Sequence, residues 1–239
     1  MLNIKSALKR YIKRLTNKPD WHNLRSTSPI SKVFGLDRGT PIDRVYIEHF
    51  LKENSSLIGG VVLEIAENTY SKKYGVGVEK YEILHATPDN KDATIIGDLT
   101  NPDSLPDNAV DCFICTQTFN FIYDFKAAIR GAYRLLKPGG TLLATASGLS
   151  QISRYDMDRW GDYWRFTDLS ARKSFGEVFG EENVSVTVYG NVLSCVAFLE
   201  GISAEEITEA ELFHRDPDYQ MTIVIKATKP MADASSSMQ

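Results

Sequence analysis

The stretch FKAAIRGAYRLLKPGGTLLATA, residues 125–146, decides the fold. Its first half places apolar residues at Phe125, Ala128, Ile129, Ala132, Leu135 and Leu136, the spacing of a helix with one buried face. Lys137-Pro138-Gly139-Gly140 then stops that helix, because proline cannot continue it and glycine takes the conformations that end it. Thr141–Ala146 follows as an apolar run of the kind a strand shows when both of its faces are covered. A helix delivered straight into a doubly covered strand is half of a βαβ unit.

Moving outward, the same grammar repeats. Val110–Cys115 reads as the strand before the helix, which completes the unit. Upstream, Val61–Ile65, Val78–Leu84 and Ala93–Gly97 are further short strands. Downstream, Val184–Tyr189 alternates as a strand, Val192–Leu199 is helix-like, and Met221–Thr228 alternates again. Strands separated by helices of this length predict an α/β, doubly wound, mostly parallel seven-stranded sheet, with the two late strands giving it an antiparallel edge. Before the sheet, Thr40 is the expected cap of a helix with Pro41 at its first position and Asp43 near its positive end, and Ile42, Val45, Tyr46 and Phe50 form its buried stripe.

The chain has 239 residues, 43% hydrophobic and 24% charged, which suits one α/β domain with modest additions. A net charge of −4 argues against nucleic-acid binding through a broad basic face. Three cysteines in a chain this long make no disulfide framework, and a cytoplasmic setting is the expectation. Residues 1–18 differ from the rest: six basic residues, no acid, and Ile4, Leu8, Tyr11, Ile12 and Leu15 on one helical stripe. Such a helix suits peripheral contact with an anionic membrane, docking on a partner, or packing on its own domain. The boundaries expected are an N-terminal helical extension over residues 1–57 covering the active site, the main domain over 58–230, and a disordered tail over 231–239.

In an open parallel sheet, ligands bind beyond the C-terminal ends of the strands, where the strand order reverses. That rule selects Ala66, Glu67, Asn68, Thr69 and Tyr70 after the first strand, Glu82 and His85 at the second, Asp98 and Leu99 after the third, and Thr116, Gln117 and Thr118 after the fourth. Glu82 is placed to accept from ribose hydroxyls, Asp98 from an adenine amine, and Glu64 to hold an ammonium. Against these stand plainer roles: Glu64 capping backbone amides, and Asp98 opening a turn with Thr100. Cys112 and Cys115 are spaced like a redox or zinc pair, but three apart on a strand they point to opposite faces and read as buried apolar residues.

Val62-Leu63-Glu64-Ile65, Gly97-Asp98-Leu99, Val110-Asp111-Cys112-Phe113-Ile114 and Leu136-Lys137-Pro138-Gly139-Gly140-Thr141-Leu142, in that order, resemble the class I S-adenosylmethionine-dependent methyltransferases, the type 11 group above all. The resemblance covers about residues 58–230 and implies their Rossmann-like fold, S-adenosylmethionine as cofactor, and a cofactor site made by Glu64, Ala66, Glu67, Asn68, Tyr70, Glu82, Ile83, Asp98, Leu99, Thr116 and Gln117. It departs from the family where a Gly-x-Gly core is usual, since the loop here is Ala66-Glu67-Asn68-Thr69-Tyr70, in which Ala66 is small and Asn68 tolerates left-handed geometry better than most residues. An NAD-type reading suffers more, because no Gly-x-Gly-x-x-Gly is present.

Residues 34–44 and 154–167 resemble a narrower subgroup associated with glycan and polysaccharide assembly. The second stretch mixes Trp160, Tyr163, Trp164 and Phe166 with acids and arginines, which suits a ring-shaped polar acceptor. The acceptor-binding residues expected are Arg38, Arg44, Trp160, Tyr163, Trp164 and Arg165. Asp158, Asp162 and His85 are the expected bases for removing a hydroxyl proton. A plainer reading makes Trp160, Trp164 and Phe166 a core closure. Two other classes remain open: a fold that no longer catalyses and serves as a binding subunit, and a membrane-peripheral interaction protein.

Overall fold

A computed structural model of the chain describes residues 22–231, with isolated positions 8, 9, 12, 15 and 16 nearer the start. Most of the basic stretch 1–18, and the tail after Met231, lie outside the described residues. Leu8, Ile12 and Leu15, which are described, are helical and exposed.

Seven strands form one sheet: β1 (Gly60–Ile65), β2 (Val78–His85), β3 (Ile95–Ile96), β4 (Val110–Thr116), β5 (Leu136–Ser147), β6 (Val184–Tyr189) and β7 (Thr222–Thr228). Their order is β3-β2-β1-β4-β5-β7-β6. The β1–β2, β2–β3, β1–β4 and β4–β5 pairings are parallel, and antiparallel pairing is confined to β5–β7 and β7–β6. The chain starts in the middle of the sheet, runs outward to β3, and returns to lay β4 on the other side of β1. The strand order therefore reverses between β1 and β4.

Alternation along each strand sends neighbouring residues into two cores. On one face Leu63, Phe113, Cys115, Leu142, Ala144 and Ile225 pack with α3 (Phe125–Leu135) and α5 (Asp168–Phe179). On the other, Val62, Cys112, Ile114, Leu143 and Val224 pack with α1 (Ile42–Glu53) and α6 (Val192–Glu200). Cys112 and Cys115 fall into opposite cores, as their spacing requires, and burial pushes both thiols up to about 12. The remaining helices are short: α2 (Thr69–Tyr74), α4 (Arg154–Met157) and α7 (Glu209–Phe213). No helix among the described residues is long and apolar enough to cross a membrane.

Two local expectations are corrected. Thr40 does not cap α1: its hydroxyl donates to Glu205 Oε1 at 2.7 Å, and Pro41 occupies the cap position without a side-chain bond. The break at Lys137-Pro138-Gly139-Gly140 is part of β5, because Leu136 already pairs with Val110 and Gly139 N donates to Lys229 O. Asp124 caps α3 by accepting from Ala127 N at 2.9 Å.

Gly131 lets α3 lie directly on the segment after β3. A methyl group there would come within 2.1 Å of the Leu99 carbonyl oxygen, which is backbone and has little room to yield. Gly131→Ala is expected to cost about 1–3 kcal/mol in urea denaturation, overpacking outweighing the better helix propensity of alanine.

Candidate active site

At the point of reversal, β1 ends in Ile65 and the chain turns sharply at Ala66, whose φ of 65° is left-handed. The turn is pinned on three sides. Ala66 N donates to Leu84 O at 3.0 Å, Glu67 N to Ile65 O at 2.8 Å, and Ala66 O accepts from Asn90 Nδ2 at 2.8 Å. Asn68 is not the left-handed residue; its φ is −129°. The sequence offered asparagine as the tolerant residue type, but the bend falls where the strand ends, on alanine.

Glu64, buried on β1, reaches up to the start of α2. Its Oε1 accepts from Ser71 N at 2.7 Å and from the Ser71 hydroxyl, and its Oε2 from Tyr70 N at 3.1 Å. Burial raises its carboxyl above the ordinary value, opposed by these donors. The capping role thus occupies both oxygens, and the amides that begin α2 are satisfied by an acid beneath them.

Two cavities open beside this turn. One, of about 320 Å³, is lined by Glu64, Ile65, Ala66, Glu67, Tyr70, Ile114, Thr116 and Thr118. The other, of about 280 Å³, adjoins it and is walled by Phe34, Pro41, Asp43, Arg44 and Ile47 from the segment before the sheet, and by Gln117, Asn120, Phe121, Ser147, Ser153, Asp156, Asp162 and Arg165 from strand ends and the loop after β5. Glu67, Tyr70 and Thr116 line both. Gln117 is held at a left-handed φ of 49°, with its N donating to Thr145 O at 2.9 Å and its Oε1 accepting from Ser147 Oγ at 2.7 Å.

Of the residues singled out from sequence, Glu64, Ala66, Glu67, Tyr70, Thr116, Gln117, Thr118, Arg44, Asp162 and Arg165 meet at these cavities. Others do not. Glu82 pairs in register with Leu63, short of the strand tip; burial raises its carboxyl, but Lys80 and Thr94 outweigh this and leave it below the ordinary value. The tip of β2 is His85, whose Nδ1 sits 2.9 Å from Thr87 O. Ile83 and Leu99 are core residues, and Asp98 is exposed and closes a turn by accepting from Thr100 N and Oγ1. Asp158 lies off the cavity wall in an exposed pair with Arg154, and Arg38 is tied to Glu206. Asp162 is at the wall but is spent: Arg165 grips both of its oxygens, and Ser153 N donates to Oδ2. Trp164 is a packing residue, its Nε1 donating to Tyr123 O and its ring against Phe125, whereas Trp160 and Tyr163 are half-exposed outside the wall.

Three wall residues were not anticipated as ligands of anything. Asp156 accepts from Trp160 Nε1 and Ser153 Oγ. Asn120 is buried just past β4. Asp43, on the first turn of α1, is half-buried at the wall; burial pushes its carboxyl up to about 6, against the pull of Arg44. Only its position in the second cavity separates Asp43 from any other helix-start acid, so no local signal could have found it.

Residues 57–144 match a family model described as a methyltransferase domain. S-adenosylmethionine is the cofactor that this match indicates. No curated protein matches the chain by sequence. Among solved structures, the (4+2)-cyclase SpnF is 16% identical, with 82% of this chain and 85% of that one covered at a TM-score of 0.52. An S-adenosylmethionine-dependent methyltransferase from Archaeoglobus fulgidus is 14% identical, with 78% and 94% covered at 0.50. A possible histamine N-methyltransferase from Thermotoga maritima is 16% identical, with 88% and 100% covered at 0.50. At these identities the likeness is one of fold, and the fold is the Rossmann-like methyltransferase sheet.

A left-handed alanine costs about 1–2 kcal/mol relative to its ordinary conformations, whereas glycine pays only its extra backbone entropy of about 0.5–1 kcal/mol. Ala66→Gly is therefore expected to raise the urea midpoint, by up to about 1 kcal/mol of stability, with the slope unchanged.

Proposed function

We propose that the protein is an S-adenosylmethionine-dependent methyltransferase acting on an oxygen of a small, hydroxylated, carbohydrate-like acceptor. The observation that carries this reading is the pair of adjoining cavities at the strand-order reversal, joined along Glu67, Tyr70 and Thr116. In-line displacement needs donor and acceptor on either side of one reacting carbon, and two chambers with a common wall supply that layout.

The chamber beside Ala66 fits the cofactor. Its left-handed turn brings backbone close without an obstructing side chain beyond a methyl group, Thr116 and Thr118 offer hydroxyls, and Glu67 offers a carboxylate to a cationic amino acid end. When bound, S-adenosylmethionine supplies a methyl group on a positively charged sulfur, a carbon electrophile with a neutral thioether as leaving group. Tyr70 would wall that methyl off from water.

The second chamber fits the acceptor. Its wall is polar and mixed in sign, with Asp43, Arg44 and Asp156 among aromatic Phe34, Tyr70 and Phe121. Asp43 takes the role of base in place of Asp158 and Asp162. Its carboxylate would accept the proton of an acceptor hydroxyl held in this chamber as that oxygen becomes the nucleophile. A carboxyl near 6 is ionised at neutral pH and more basic than an ordinary aspartate, which suits proton removal in the transition state. The basic stretch 1–18 would bring the enzyme to anionic membranes, where lipid-linked glycans are held.

Calorimetry with S-adenosylmethionine tests the first half of this proposal; absence of binding would end it. For the second half, kcat/KM for methyl transfer is expected to rise with pH through about 6 and then level. Asp43→Asn should lower kcat by about 10²–10⁴-fold without altering cofactor affinity. The same variant carries a stability signature. A carboxyl raised in the folded state binds more protons there than in the unfolded chain, so folding loses stability as pH climbs from about 4 through 6. Asp43→Asn should therefore be more stable than the parent at pH 7 and lose that advantage at pH 4.

A further inference from the structure

We infer that Asn120 reads the acceptor, and that what it reads is a neutral hydroxyl group beside the one that is methylated. This rests on the reading of the second cavity as the acceptor chamber.

Asn120 stands in the single turn Phe119–Phe121 that follows β4, with only 1% of its surface exposed. Its backbone carbonyl accepts from Tyr163 N at 2.9 Å and from Trp164 N at 3.2 Å, so the turn is tied to the loop that forms the far wall. Its side chain lines the acceptor cavity, yet the buried Oδ1 has no hydrogen-bond partner. Two other buried side-chain atoms among those described share that condition, Arg134 Nε and Thr222 Oγ1, and neither residue lines either of the two cavities. An unpaired buried acceptor weakens folding, and isosteric leucine would avoid the loss. A polar group kept at such a cost, on the wall of a binding chamber, points to a ligand that completes it.

The chemistry of a carboxamide narrows that ligand. Its oxygen accepts and its nitrogen donates, so the group that satisfies it best does both, and a hydroxyl does. A carboxylate or phosphate only accepts and an ammonium only donates. An anion would also meet Asp43 and Asp156 on the same wall; of the two arginines there, Arg165 is already engaged by Asp162, and Arg44 lies beside Asp43 and offsets that charge. An acceptor with one hydroxyl facing Asp43 and a second facing Asn120 is a polyol or a sugar. A site built to bond a hydroxyl also rejects analogues lacking it, because the analogue leaves the protein group unpaired.

The test uses the full chain and Asn120→Leu, with Asn120→Ala as the second variant should the first fail to fold. In urea denaturation without ligand, Asn120→Leu is expected to match or exceed the parent midpoint. Its affinity for S-adenosylmethionine should be unchanged. Labelled methyl transfer is then measured to a panel of neutral methyl glycosides and their mono-deoxy analogues. The expected result is a 10- to 100-fold lower kcat/KM for the variant, carried mainly by KM, with one deoxy analogue used by the parent as poorly as the variant uses the full glycoside. A lowered urea midpoint for Asn120→Leu would make the carboxamide a structural group and overturn the inference. So would unchanged kinetics, or a parent that binds the cofactor and methylates no glycoside. A parent that fails to bind S-adenosylmethionine refutes the underlying reading instead, and the two failures are told apart by the calorimetry.

Discussion

The carboxylate of Glu64 is the constraint on which the upper rim of the sheet depends. An acid buried on a central strand is costly unless donors surround it, and here three donors from Tyr70 and Ser71 converge on it. That contact fixes where α2 begins relative to β1. It forces the intervening residues into a short, sharp path, so Ala66 is driven left-handed, and it sets Tyr70 at the partition between the two cavities. A neutral side chain at Glu64 would leave the amides of Tyr70 and Ser71 unpaired and release the partition. The chamber beside Ala66 is therefore a consequence of how one strand is joined to one helix.

The second chamber, lined by Asp43 and Asn120, has a different origin. Its inner wall comes from strand ends and its outer wall from residues that precede the sheet in the chain. Pro41 bridges Ser203, and Thr40 donates to Glu205 through both backbone and hydroxyl, which locks the entrance of α1 against the segment after α6. Gly35, left-handed and packed within 3.0 Å of the Gly201 carbonyl at its absent Cβ, lets the preceding loop seat Phe34 on Phe198. Asp43 is thus positioned by the packing of α1 on the sheet and by contacts to the segment after α6, not by a strand end.

This division explains what could be read from sequence. Lys137-Pro138-Gly139-Gly140 reads as a break in sequence and is strand only because Leu136 pairs with Val110, whereas β1, β4 and the Thr141–Ser147 end of β5 were legible because strands covered on both faces are apolar. The loop after β1 was legible as a ligand rim for the same reason. Glu82 stands short of the strand tip, which the sequence does not show, because nothing in Tyr81-Glu82-Ile83-Leu84-His85 marks where pairing ends; the partner strand decides that, and it carries β2 on to His85. Asp158, Asp162 and Arg38 show a related limit. Acids and arginines in a loop look alike until their partners are known, and Arg154, Arg165 and Glu206 claim them.

Asn120 and Asp43 mark the limit of such reading. Neither sits in a motif, and each has a plain local explanation, a turn residue in one case and a helix-start acid in the other. What distinguishes them is incompleteness in the folded state: an oxygen without a donor, and a carboxyl held where its charge is poorly solvated. Folding satisfies most buried polar groups, so the exceptions are informative when they share a wall. A sequence can disclose where a chain resolves its own demands, as Glu64 does for α2. The demands it leaves for a second molecule become visible only once everything else has been paired.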